Sequence, residues 1–161
     1  MFSAELIAQA AELLAKARAQ GLRIATAESC TGGLIAGLLT EIPGSSDVVE
    51  RGFVTYSNAS KTEMIGVPEA LVTAHGAVSA PVARAMAEGA LAHSRAQISV
   101  AVTGIAGPGG GTAEKPVGLV HLAASRGGDT RNEERRFGDP GRAEVRLKTV
   151  EAALRLLETL L

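Results

Sequence analysis

Apolar residues recur at Leu6, Ile7, Ala10, Leu13, Leu14 and Ala17. They form one stripe of a helix over Ser3–Gln20, and Gly21 is a natural stop just beyond it. Leu22–Ala27 is a short apolar run and predicts a strand. Thr31–Ile42 predicts a helix that packs closely through Gly32, Gly33, Ala36 and Gly37, and Pro43–Asp47 is a loop. Val48–Tyr56, rich in Val, Phe and Tyr, predicts a second strand. Ser57 caps a short helix over Asn58–Ile65, closed by Gly66, and Glu69–Thr73 adds a further helical turn. Ser79 caps a longer helix running to about His93, with Pro81 in its permitted first turn. Ile98–Thr103 is a continuous apolar strand of the kind buried on both faces. After the glycine-rich loop Gly104–Pro116 come a strand over Val117–Ser125, a turn at Gly127–Asp129 and a polar, edge-like strand over Thr130–Phe137. Arg142–Leu161 is a terminal amphipathic helix.

Strands and helices alternate through the first two-thirds of the chain, and a strand pair and a helix finish it. That order predicts a single three-layer α/β/α domain over residues 1–161, built on a mixed, mostly parallel sheet. Ligands of such sheets gather at the carboxyl ends of strands. Ser29, Tyr56 and Thr103 each lie at or just after such an end, so the three are expected to share one site.

Composition narrows the function classes. The 161 residues are 46% apolar but only 2% aromatic, so the core must be aliphatic and base-stacking platforms are scarce. A net charge of −1 offers no excess to neutralise a phosphate backbone, so nucleic acid is not an expected partner. No apolar run approaches the ~20 residues that span a bilayer, and Met1–Arg18 lacks the form of a signal peptide. A lone cysteine, Cys30, excludes an internal disulfide and any multi-cysteine zinc site. A cytoplasmic location is expected. Ala- and Gly-rich helices such as Val82–Leu91 pack closely against something, and a second copy of the chain is one candidate.

The stretch Ala27-Glu28-Ser29-Cys30-Thr31-Gly32-Gly33 places a serine at a strand-to-helix turn. Unpaired backbone N–H groups collect there and favour an oxyanion or phosphate. Ser29 is either a nucleophile or a helix cap. Its base is not evident among the histidines: His75 lies in a loop, His93 in the last turn of a helix and His121 within a strand as a satisfied residue, none with an acidic partner at a useful spacing. Lys61 is the better candidate, one turn into the helix after Tyr56. A lysine must be shifted far below its reference pKa of ~10.4 to act as a base, and burial can do that; the alternative is an ordinary solvated lysine. Cys30 is a rival nucleophile, or a small buried hydrophobe. The loop Thr103–Thr112 is an anion nest or a flexible connection; it is neither a Walker loop nor a dinucleotide fingerprint. Arg142 and Arg146 open the last helix and face either a phosphate or solvent.

Five ordered strings carry a family resemblance: residues 27–33, Val54-Thr55-Tyr56-Ser57-Asn58 with Lys61, Gly66-Val67, His75-Gly76-Ala77-Val78-Ser79, and Val102–Gly110. Lys115-Pro116-Val117-Gly118 follows. Together they resemble the C-terminal domain of the competence/damage-inducible protein CinA, whose stand-alone members are nicotinamide-nucleotide amidohydrolases (NMN deamidases). The resemblance implies hydrolysis of nicotinamide mononucleotide to nicotinate mononucleotide and ammonia, in pyridine-nucleotide recycling. It implies Ser29 as nucleophile, Lys61 as base and Tyr56 as the hydroxyl beside them. It implies a substrate-binding wall made by Thr31, Gly32, Gly33, Thr103, Gly104, Gly107, Pro108, Gly109 and Gly110, with Arg142 on the phosphate. No metal or organic cofactor is implied. Many relatives carry Gly-Asp-Arg before the last helix, whereas two residues separate Asp139 from Arg142 here. Two other readings stay open at this point: an amidase with Cys30 as nucleophile, and a non-catalytic nucleotide-binding protein linked to competence or DNA damage.

Overall fold

The computed structural model describes residues 1–161, and the first strand, β1 (Ile24–Glu28), is an inner strand buried at every position. β1 pairs in parallel with β2 (Val49–Val54) on one side and with β3 (Ile98–Gly104) on the other. β4 (Leu119–Arg126) runs antiparallel to β3, and β5 (Asp129–Arg136) antiparallel to β4, giving the order β2-β1-β3-β4-β5. Four of the five strands therefore point the same way, and β4 alone is reversed. The chain leaves β1 for β2 on one side and returns to β3 on the other, so the strand order switches direction at the carboxyl end of β1.

Alternation along the strands sends large and small side chains to opposite faces. Ile24, Ile98, Val100, Val102 and Leu122 face α1 (Ala4–Ala19), α2 (Leu34–Glu41) and α6 (Arg142–Glu158). Ala25, Ala27, Ala101 and Ala123 face the other layer, α3 (Asn58–Ile65), α4 (Glu69–His75) and α5 (Ala80–Ala92). The small residues of α5 meet this alanine surface and so find their close packing within the subunit. No helix is long and apolar enough to cross a membrane.

The caps expected at Ser57 and Ser79 form, accepting from the Ser60 and Val82 amides, and Ser3, not expected as a cap, accepts from that of Leu6. Several boundaries differ: β1 starts at Ile24 and not Leu22, β2 ends at Val54 and not Tyr56, and α6 ends at Glu158 and not Leu161. The second helix starts at Leu34, not Thr31, because Gly32 and Gly33 hold φ of 57° and 102°, outside the right-handed helical region. The fourth helix extends to His75, and the fourth strand starts at Leu119 because Pro116–Gly118 are still turning.

Candidate active site

The site begins where β1 ends. Period-two alternation carries Glu28 to the α2 side and Ser29 to the side of α3 and α5. Glu28 is only 1% exposed. Its Oε2 accepts from Thr31 Oγ1 (2.6 Å), the Gly33 amide (3.1 Å) and the Ile35 amide (3.0 Å), and Oε1 accepts from the Ala36 amide (2.9 Å). α2 starts at a glycine with no side chain to cap it, and the carboxylate from the preceding strand supplies that function. Arg146 on α6 donates from Nε and a terminal nitrogen to the carbonyls of Cys30 (3.1 Å) and Thr31 (2.9 Å). The Ser29 amide donates to Val102 O at 3.1 Å, which ties the elbow to β3.

Lys61 arrives from the opposite layer. Ser57 caps α3, and one turn later the Lys61 side chain points inward, 1% exposed. Its Nζ lies 3.1 Å from Ser29 Oγ and 2.8 Å from Thr55 O, with Ser57 O more distant at 3.5 Å. None of the ion pairs in the fold includes Lys61. Burial without a counter-ion disfavours the ammonium, so its pKa is lowered from the ordinary 10.5. Of the two expectations for this residue, the buried one holds.

A cavity of about 230 Å³ opens over this pair, bounded by Ala77, Val78, Thr103, Gly104 and Asn58. The parallel register of β1 with β2 and β3 brings the expected strand ends together: Glu28 lies opposite both Val54 and Val102. Tyr56, Thr103, Gly104 and Arg142 line the cavity, whereas other expected residues do not. The Tyr56 hydroxyl accepts from Arg142 at 2.9 Å and bonds neither Ser29 nor Lys61; the ring is 60% exposed and stands at the mouth. Arg142 also donates to Gly107 O at 2.8 Å, so it bridges Tyr56 and the glycine loop across the opening. The Thr103 hydroxyl donates to Ala77 O at 2.9 Å and fixes the cavity wall. Thr31 and Gly33 turn to Glu28, because a carboxylate already fills the helix N-terminus expected to hold a ligand; Gly32 is exposed and off the lining. Pro108, Gly109 and Gly110 are exposed and also off the lining. Arg146 binds backbone carbonyls and not an open anion site.

Cys30 packs its thiol into the aliphatic layer, where burial pushes its pKa up to about 12. Adjacent residues thus face opposite layers, and the thiol is not poised to attack. No histidine lines the cavity. His121 is not satisfied as expected: its buried Nδ1 has no partner, and Nε2 lies 3.9 Å from Glu134 on β5. No three His, Cys, Asp or Glu side chains converge in a cluster able to hold a metal. Sequence reasoning missed Glu28, although alternation from Ile24 and the following Gly-Gly pair mark it as a buried acid opposite Ser29. It also missed Asn58, Ala77 and Val78, whose place at the cavity depends on tertiary packing.

The geometry matches known proteins closely. The structure of competence/damage inducible protein CihA from Agrobacterium tumefaciens superposes with a TM-score of 0.97 at 55% identity, covering 99% of this chain and 98% of that one. A competence-damaged protein (CinA) superfamily protein from Escherichia coli gives a TM-score of 0.93 at 31% identity, covering 100% and 94%. Among curated sequences, a CinA-like protein from Akkermansia muciniphila is 64% identical over 115 residues, 71% of this chain and 28% of that protein. A CinA-like protein from Anaeromyxobacter sp. is 52% identical over 146 residues, 90% and 35%. The chain thus spans about a third of the length of the curated relatives it matches. The model of the CinA C-terminal domain matches residues 6–161, and the chain belongs to that family.

Proposed function

We propose that the chain is an amidohydrolase that removes ammonia from the carboxamide of nicotinamide mononucleotide through a serine ester. The observation that carries this reading is Ser29 Oγ at 3.1 Å from a buried, unpaired Lys61 Nζ at the switch point of the sheet. A neutral amine at this place gives its two N–H groups to Thr55 O and Ser57 O and turns its lone pair to Ser29 Oγ. Lys61 then accepts the hydroxyl proton as Oγ attacks the carboxamide carbon. The Cys30 and Thr31 amides, which follow Ser29 directly and have no acceptor in the fold, are the elbow's candidate donors for the oxyanion. Collapse of the tetrahedral adduct breaks the C–N bond, and Lys61 returns the proton so that ammonia departs. Water repeats the sequence on the nicotinoyl ester and regenerates Ser29. The ring fits the cavity with the phosphate outward, where Arg142 stands at the mouth with N–H groups beyond the two given to Tyr56 and Gly107.

The test is ammonia release from the mononucleotide, the riboside and free nicotinamide. Ser29→Ala is expected to lower turnover by about 10³-fold or more while the fold is retained. Cys30→Ala should keep most of it. Near-native turnover by folded Ser29→Ala, or an inert Cys30→Ala, refutes the serine mechanism.

A further inference from the structure

Glu28 takes no part in the reaction proposed above, yet it is the residue before Ser29 and carries four donors on a carboxylate that is 1% exposed. Those donors include three of the first amides of α2, the groups that otherwise make a helix start a general anion site. The Gly32 amide is also taken, by Ser29 O at 3.0 Å. Two amides around the elbow remain without an acceptor, those of Cys30 and Thr31. Each belongs to a peptide plane held from its far side. The plane of the Cys30 N–H contains Ser29 O, which accepts from Gly32; that of the Thr31 N–H contains Cys30 O, which accepts from Arg146. The Thr31 side chain is fixed in turn by its hydroxyl on Glu28.

We propose that Glu28 is a positioning residue: by occupying the first-turn amides of α2 and the Thr31 hydroxyl, it leaves the Cys30 and Thr31 amides as the free donors of the elbow for the oxyanion formed on Ser29. The proposal rests on the serine reading above and deepens it. It assigns Glu28 no proton transfer and no contact with substrate. It makes the elbow selective for one small negative atom beside Ser29, because the wider phosphate-sized nest is already filled from within.

The experiment uses the whole chain and an alkyl fluorophosphonate. Ser29 Oγ bonds to phosphorus, fluoride leaves, and the hydroxyl proton passes to Lys61. Intact mass counts the labelled sites, and the time course gives the rate per site. Glu28→Ala is expected to label to completion but about tenfold or more slowly per site, as for a displaced oxyanion donor. Glu28→Gln keeps a carbonyl for the donors on Oε2 but loses the charge and turns an N–H toward the Ala36 amide, so its rate should fall between that of Glu28→Ala and that of the parent. Because Glu28→Gln is nearly isosteric, it decides the matter even where Glu28→Ala folds poorly. Fewer labelled sites, each reacting at the parent rate, would mean that Glu28 serves stability alone and would overturn the proposal. A parent protein that leaves Ser29 unlabelled would refute the serine reading itself, and with it any oxyanion for Glu28 to serve.

Discussion

The two faces of the central sheet are built from different side chains. Toward α1, α2 and α6 lies a core of 26 buried residues, of which six are alanine (Ala10, Ala17, Ala106, Ala124, Ala152, Ala153). Toward α3, α4 and α5 lies one of 12, of which seven are alanine (Ala25, Ala27, Ala83, Ala87, Ala90, Ala101, Ala123). The first face buries most of the apolar surface and so supplies most of the hydrophobic stabilisation. The second lets α5 approach the strands closely, and its stability depends on fit more than on area. Ser29 and Lys61 meet on this thin face, whereas Glu28 and Cys30, the chain neighbours of Ser29, belong to the thick one. The fold thus divides its work: one layer holds the molecule together, and the other brings a lysine under a sheet end without filling the space above it.

The largest effect expected from this division is on stability. Leu122 is fully buried in the thick layer, and Leu122→Ala should cost about 2–5 kcal/mol in chemical denaturation. Its ammonia turnover, measured well below the melting point, should stay near the parent value, because Leu122 is not among the residues that line the cavity. A large loss of turnover in folded Leu122→Ala would mean that the layers are not separable.

Gly89 on α5 gives the converse case. A Cβ there would sit 2.1 Å from Ile65 O, a backbone atom at the end of α3, so α3 must move to admit it. Gly89→Ala gains up to ~1 kcal/mol of helix propensity but loses more to overpacking, for a net cost of about 1–3 kcal/mol. Since α3 also carries Lys61, this variant should lose turnover out of proportion to its stability, as Leu122→Ala does not. Equal stability and turnover with the parent would show that the thin layer yields more easily than its spacing implies.

This division was only partly legible in the chain. Local signals fixed the caps at Ser57 and Ser79 and the strand at Ile98–Thr103, because each depends on a few consecutive residues. The convergence of Ser29 with the strand ends after Val54 and Val102 also followed from element order, as parallel pairing leaves little choice of edge. The bond between Tyr56 and Arg142 did not follow. Their bond joins residues 86 positions apart, and spacing along the chain carries no trace of it. Glu28 lay between these cases: alternation fixes its face, but its four donors appear only once the Gly32–Gly33 turn bends α2 back over the strand end.

The smallest expected effect concerns Lys61, and its sign sharpens the contrast between holding and reacting. The folded pKa lies below the ordinary 10.5 because burial penalises the ammonium. The unfolded chain therefore binds more protons than the folded one in the interval between the lowered value and 10.5. Stability must rise with pH across that interval, and below it the cost of the buried amine is greatest and constant. Lys61→Met removes this cost while keeping a flexible chain of similar length. It should stabilise the protein by about 1 kcal/mol near neutral pH, with the gain shrinking toward pH 10.5, and abolish turnover. The parent's kcat/KM should rise with pH through the same lowered value, as the amine loses its proton. Denaturation curves and pH–rate profiles of the parent and Lys61→Met measure both quantities. A variant less stable than its parent at neutral pH would mean that the amine contributes more as a hydrogen-bond donor to Thr55 O and Ser57 O than it costs as a buried base.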